Sequence, residues 1–135
     1  MALTIGRVAK GAGVEISTLR SYERRGLLSR PGRTRAGYRQ YPEDEVLRVR
    51  FIRRAQGLGF TLEEIRGLLA LRVRGGKRCG EVASAAHATR DRLRARCREL
   101  LQMDRALSRM IRACRQGRAT DACPILEALE PGVDQ

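Results

Sequence analysis

Apolar residues recur along this chain first in short blocks at helical spacing and later along a single narrow row. Ile5, Val8 and Ala9 fall on one side of a short helix predicted over residues 4–10, and Gly11-Ala12-Gly13 breaks it. A second helix is predicted over 16–25. Leu19 and Tyr22 share one of its faces, Ser17 or Glu15 is placed to cap it, and Gly26 is a stop signal. Helix, tight Gly-containing turn, helix is the helix-turn-helix pattern. Residues 28–41, LSRPGRTRAGYRQY, then lose the period and are punctuated by Pro and Gly.

The period returns with a third helix predicted over 42–56, which has Pro42 in its first turn and Leu47 and Phe51 four apart. Gly57-Leu58-Gly59 ends it. Thr61-Leu62-Glu63-Glu64 is a capping box, and the fourth helix runs from it to residue 72 with Leu62, Ile65 and Leu69 inward. Arg74-Gly75-Gly76-Lys77 is the clearest boundary; beyond it, residues 80–112 carry no Pro, and Gly only at position 80. A helix of that length spans ~50 Å, too long and too narrowly apolar to fold back into a small core. Leu93, Cys97, Leu100, Leu107, Ile111 and Cys114 follow a heptad seam interrupted at Asp104. Such a row wants another helix, and an antiparallel homodimer is one solution.

Composition supports the same division. All five aromatics lie between Tyr22 and Phe60, which argues against a second globular core beyond them. The expected class is therefore mainly α. A winged helix-turn-helix DNA-binding domain is placed at 1–74, a hinge and dimerisation helix at 75–112, and a metal-binding loop and tail at 113–135. The N-terminus lacks the apolar core of a signal peptide and no run approaches a membrane span, so a cytoplasmic location and no membrane partner are expected.

Charge then points to a partner. The net charge is +13, and residues 1–60 hold 13 cations against 5 anions. Lys10 and Lys77 apart, every cation is Arg, the better residue for bidentate contacts to phosphate and bases. Arg20, Arg24 and Arg25 lie on the second helix, where a recognition helix needs cations. Arg30, Arg33, Arg35 and Arg39, interleaved with Tyr38 and Tyr41, make the 28–41 excursion read as a basic wing that holds phosphate rather than a plain loop. Thr18, Arg20, Tyr22, Arg24, Arg35, Tyr38 and Arg39 form the candidate DNA-binding set.

The four cysteines are better read as thiols than as disulfides. Cys79 and Cys114 are 35 residues apart, five heptads, in one register at opposite ends of the long helix. A straight helix keeps them from sharing a metal within one chain. In an antiparallel dimer, Cys79 of one protomer comes alongside Cys114 of its partner. Cys123 follows Cys114 by nine residues across a segment containing Gly117 and Thr120-Asp121, close enough to return its thiol. Each end of the dimer then has three thiolates, Cys79, Cys114 and Cys123, which select soft or borderline metals. A structural Zn(II) site remains an alternative, although such sites usually have four protein ligands. Cys97 reads as a seam residue and His87 as a surface or packing residue. No Ser-His-Asp or Cys-His constellation can be built around His87, and Glu63-Glu64 is explained by capping, so no enzyme is expected.

Over essentially its whole length the chain resembles the MerR family of transcriptional regulators. The resemblance is carried by LTIGRVAKGAGVEISTLRSYERRGLL, the GYRQY wing, VRFIRRAQGLGFTLEEIRGLL and the long helix ending in CPILEAL. It implies a winged helix-turn-helix homodimer joined by an antiparallel coiled coil, bound to operator DNA inside a promoter whose spacer is too long. It also implies that effector binding distorts that DNA so that RNA polymerase can use both promoter elements. Arg20 and Tyr22 match the family's recognition-helix contacts, and Tyr38 and Arg39 its wing contacts to phosphate. The Cys79, Cys114 and Cys123 pattern looks like the mercury-responsive branch, which makes Hg(II) the expected effector and the chain a repressor and activator of a mercury-resistance operon. Cys79-Gly80-Glu81 is also reminiscent of lead sensors. Pb(II), Cd(II) and Zn(II) are the alternative effectors, and a cytoplasmic metal-binding protein is the alternative class.

Overall fold

Thr4 sets the start of the first helix, its hydroxyl accepting the Arg7 N–H at 3.2 Å. The computed structural model describes residues 2–29, 31–33, 37, 39–74, 76, 78–116 and 123–131, with Pro124 described by its backbone alone. Helix α1 (Ile5–Ala12) ends at Gly13, whose φ of 71° lies in the left-handed region that closes a helix at least cost for glycine. Helix α2 (Ile16–Arg24) follows from Glu15, which occupies the cap position without a side-chain bond. Gly11 lets α1 approach the next long helix closely: a Cβ there would meet Val46 Cγ2 at 3.0 Å. Arg50 secures that approach by donating to the Gly11 carbonyl at 2.9 Å.

Helix α3 (Glu45–Gly57) buries Glu45, Val49, Ile52 and Ala55. Leu47 is 57% exposed, whereas Phe51, four residues on, is partly buried against the core. The stripe 45-49-52 follows helical spacing toward α1 and α2, and a residue two positions on from Glu45 points about 200° away from it. Helix α4 (Leu62–Arg74) opens with the expected capping box. Glu64 accepts the Thr61 N–H at 2.7 Å, and the Thr61 hydroxyl accepts the Glu64 N–H at 3.2 Å. Val8, Ala9, Leu19, Tyr22, Leu27, Leu28, Tyr41, Val49, Ile52, Ala55, Ile65 and Leu69 form one core. Each fully buried aliphatic side chain among them contributes roughly 2 kcal/mol of transfer free energy.

Strands β1 (Gly32–Arg33) and β2 (Arg39–Gln40) pair antiparallel, with Arg33 opposite Arg39. Arg33 donates to the Gly37 carbonyl at 3.0 Å. Tyr41 and Leu3 exchange both backbone hydrogen bonds, at 2.7 and 2.8 Å, which ties the end of β2 to the N-terminal segment. The fold is thus mainly helical, a winged helix-turn-helix followed by a long helix, as the pattern of apolar positions predicts.

The chain divides into two compact units, Met1–Thr89 and Arg90–Gln135. The long helix α5 (Cys79–Arg115) begins in the first and continues into the second, where helix α6 (Pro124–Leu129) also lies. Thr89 is the one described residue of α5 that is buried. Leu93, Leu100, Leu107 and Ile111, all seam positions, are 44–55% exposed in the single chain. No described helix is long and apolar enough to cross a membrane.

Candidate nucleic-acid interface and thiol site

On α2, Arg20 and Arg24 are exposed and Thr18 is half-buried. Tyr22 is only 2% exposed, so its ring belongs to the core and not to the surface expected of a DNA contact. Its position three residues after Leu19 explains this, because both lie on the face turned to α3. The Tyr22 hydroxyl donates to Gln56 Oε1 at 2.6 Å. Burial raises its pKa, with Arg53 pulling the other way, so it remains a neutral donor that docks α2 on α3.

In the wing, Arg39 is half-exposed and lies 3.2 Å from the Glu23 carboxylate, which also accepts the Tyr41 hydroxyl. A cleft of about 520 Å³ between the end of α2 and the wing is lined by Glu23, Gly26, Ser29, Arg33 and Arg39 among others. Arg30, Arg35 and Tyr38 lie outside the described residues.

Glu45 was not singled out from the sequence. It is 1% exposed and accepts both the Ser29 N–H and the Ser29 hydroxyl, fixing the segment that leads from α2 to the wing. Glu23 was missed too, although it is the one acid between Glu15 and Glu43 in an otherwise basic stretch.

The thiols occupy helix ends. Cys79 is the exposed first residue of α5, and Cys114 is exposed just before its end. Cys123 is half-buried at the N-cap of α6, a helix within the expected tail, with Pro124 at its first position. No side-chain cap bond forms at Cys123, but the Leu126 and then the Ile125 backbone amides, and the Cys114 thiol, lie close enough to its sulfur to stabilise the thiolate. Together they hold its pKa below the ordinary thiol value, against desolvation and the Glu127 charge. Hydrogen bonds to the charged form favour the thiolate.

The chain therefore brings Cys114 and Cys123 together. The segment between them falls partly in residues 117–122, outside those described. Among the described residues no three His, Cys, Asp or Glu side chains converge as a metal site. Cys97 is exposed on α5. Cys79 opens onto a largely apolar cleft of about 1000 Å³, lined by Leu47, Phe51, Leu58, Phe60 and Val82 among others.

A helix-turn-helix with an arginine-bearing second helix and a two-stranded basic wing defines a DNA-binding transcription regulator. Residues 3–71 match the family model described as MerR HTH family regulatory protein, and residues 46–110 match that described as MerR, DNA binding. The chain belongs to the MerR family. It is 41% identical over 130 residues to the mercuric resistance operon regulatory protein of Pseudomonas fluorescens, covering 96% of this chain and 89% of that one. It is similar in structure to the transcription regulator PbrR691 from Ralstonia metallidurans CH34 in complex with lead(II) (TM-score 0.81, 38% identity, 94% of this chain and 98% of that chain). It is also similar to MerR from Bacillus megaterium MB1 in complex with mercury(II) (TM-score 0.71, 32% identity, 94% and 98% coverage).

Proposed function

We propose that this metal-responsive regulator takes Hg(II) as its effector and controls a mercury-resistance promoter. The observation that carries the proposal is the Cys114–Cys123 thiol pair. One sulfur sits at a helix N-cap with its pKa lowered, and the other is among the groups that lower it. Two thiols within contact, and a third on a partner, make a donor set of sulfur alone. That set suits a large soft ion accepting few ligands better than Zn(II), which prefers four, or than a hard cation.

In this reading Cys114 and Cys123 of one protomer and the partner's Cys79 hold the ion. The half-exposed seam Leu93, Leu100, Leu107, Ile111 supplies the antiparallel contact between copies. The apolar cleft beside Cys79 gives the partner's Leu126 and Leu129, both well exposed on α6, a surface to cover. Thr18, Arg20 and Arg24 face the operator from α2 and Arg39 from the wing, with Arg35 and Tyr38 as further contacts expected from the sequence. Tyr22 acts by holding α2 in place. The output is DNA shape: the ion-bound dimer supports a bent or untwisted promoter whose deformation energy must be met by the protein, and RNA polymerase reads the result.

Pb(II) is the second reading, supported by the likeness to the lead(II)-bound regulator. Competitive titration of the purified dimer with thiol-buffered Hg(II), Pb(II), Cd(II) and Zn(II), with transcription from its promoter read in parallel, tests the assignment. Hg(II) is expected to activate at the lowest free concentration. Activation by Pb(II) or Cd(II) at lower free concentration overturns it, and a metal-binding chain with no preference for promoter over random DNA overturns the regulator reading altogether.

A further inference from the structure

The Glu23 carboxylate is shared between two residues of the wing. Its Oε1 lies 3.2 Å from Arg39 Nη2, and its Oε2 accepts the Tyr41 hydroxyl. Glu23 stands on the last turn of α2 beside the exposed Arg24, so an acid sits within the basic surface that meets DNA. Tyr41 is itself anchored, 1% exposed and bonded through its backbone to Leu3. Glu23 and Arg39 share the wall of the cleft between α2 and the wing with Arg33, where phosphate would approach.

A fixed negative charge here repels phosphate and weakens binding to every DNA alike. Its return must therefore lie in geometry. Arg39 keeps further N–H donors for phosphate while one is held by Glu23, and a guanidinium already oriented loses less side-chain entropy on binding. Burial, then the bond to Glu23, push the Tyr41 pKa well above its ordinary value, so the hydroxyl donates throughout the usable pH range.

We propose that Glu23 is a positioning residue for operator recognition: by gripping Arg39 and Tyr41 together it sets the wing at one distance from α2, so that helix and wing contacts are made in register. The proposal rests on DNA binding by this domain, not on the identity of the effector. Its consequence is specific. Glu23 lowers affinity for random DNA while raising affinity for the operator.

The test uses full-length Glu23→Ala, Glu23→Gln and Tyr41→Phe chains. The probes are a duplex selected by the wild-type chain from a randomised pool and a random-sequence duplex, each measured across a salt series, with thermal melting as the folding control. For Glu23→Ala, operator affinity should fall about tenfold while random-duplex affinity rises. Glu23→Gln has one acceptor oxygen in place of two and should fall between Ala and wild type. Tyr41→Phe should lower the same ratio alone and add little to Glu23→Ala, since both remove one linkage. An equal change on both duplexes, in either direction, overturns the proposal, because charge or fold alone then accounts for it. So do an unchanged ratio and a fully additive double variant. Should Glu23→Ala fail to fold, the Gln and Tyr41→Phe chains decide by the same ratio.

Discussion

Ser29 and Glu45 form a two-point clamp: the Ser29 backbone N–H and its hydroxyl donate to the two Glu45 carboxylate oxygens, at 2.8 and 2.9 Å. The carboxylate is buried at the start of α3, where a helix N-terminus favours negative charge, and the clamp fixes the chain just before the wing. Glu45→Ala leaves a partly buried N–H and hydroxyl unpaired. It should cost about 2 kcal/mol of stability, read as a lower denaturant midpoint at unchanged slope. A change of under about 0.5 kcal/mol, the size of an ordinary surface substitution, would show that the clamp is incidental.

Tyr22 and Tyr41 make stability sensitive to alkali. Both hydroxyls have pKa values raised above the ordinary 10.0, chiefly by burial. The unfolded chain therefore ionises first as pH rises. The stability they contribute is fully present below about pH 10 and is lost above it. Melting temperature should fall as pH rises from about 10 toward the raised folded values, and the fall should be shallower in Tyr22→Phe/Tyr41→Phe. Identical slopes in the two proteins would remove the tyrosines from the explanation.

Arg20 and Arg39 should separate by the kind of DNA contact they make. Arg20→Ala, on the exposed side of α2, should weaken operator binding by about 1–3 kcal/mol and relax sequence preference. Arg39→Ala should lower the slope of log affinity against log salt by about 0.9, the value of one phosphate contact. An unchanged slope for Arg39→Ala takes the wing out of the phosphate interface.

Much of this was legible in the residues because period and punctuation are local. The helical spacings that turn Val8, Leu19, Ile65 and Leu69 inward on their separate helices, the capping box at Thr61 and Glu64, and the Gly13 stop each depend on residues within a turn or two. What escaped depends on packing at long separation. Tyr22 carries the polar hydroxyl of a DNA contact, yet its ring is taken by α3 through Gln56, 34 residues away. Leu47 has a core side chain on the wrong side of α3. Glu23 and Glu45 look like surface acids until the wing and the loop before it fold against them. In the thiol site, the nine-residue spacing suggested that Cys123 returns toward Cys114, but gave no sign that Cys123 stands at the start of a helix, α6.

Each of the three proposed ligands should be needed. Cys79→Ser, Cys114→Ser and Cys123→Ser should each abolish Hg(II)-dependent activation while leaving operator binding intact, because none lies in α2 or the wing. Cys97→Ser should leave activation unchanged, as befits a seam residue. Loss of activation with Cys97→Ser, or its survival with Cys79→Ser, would require a different donor set.

The sharing of one site between two protomers can be measured directly. Mixed dimers are made from a Cys79→Ser chain and a Cys114→Ser/Cys123→Ser chain, and Hg(II) bound in excess thiol is counted against each parental homodimer. An antiparallel pair gives one tight site per mixed dimer, assembled from the two intact ends, and none in either parent. No tight site in the mixed dimer, or retained binding in the Cys79→Ser homodimer, would contradict a metal site built across the dimer.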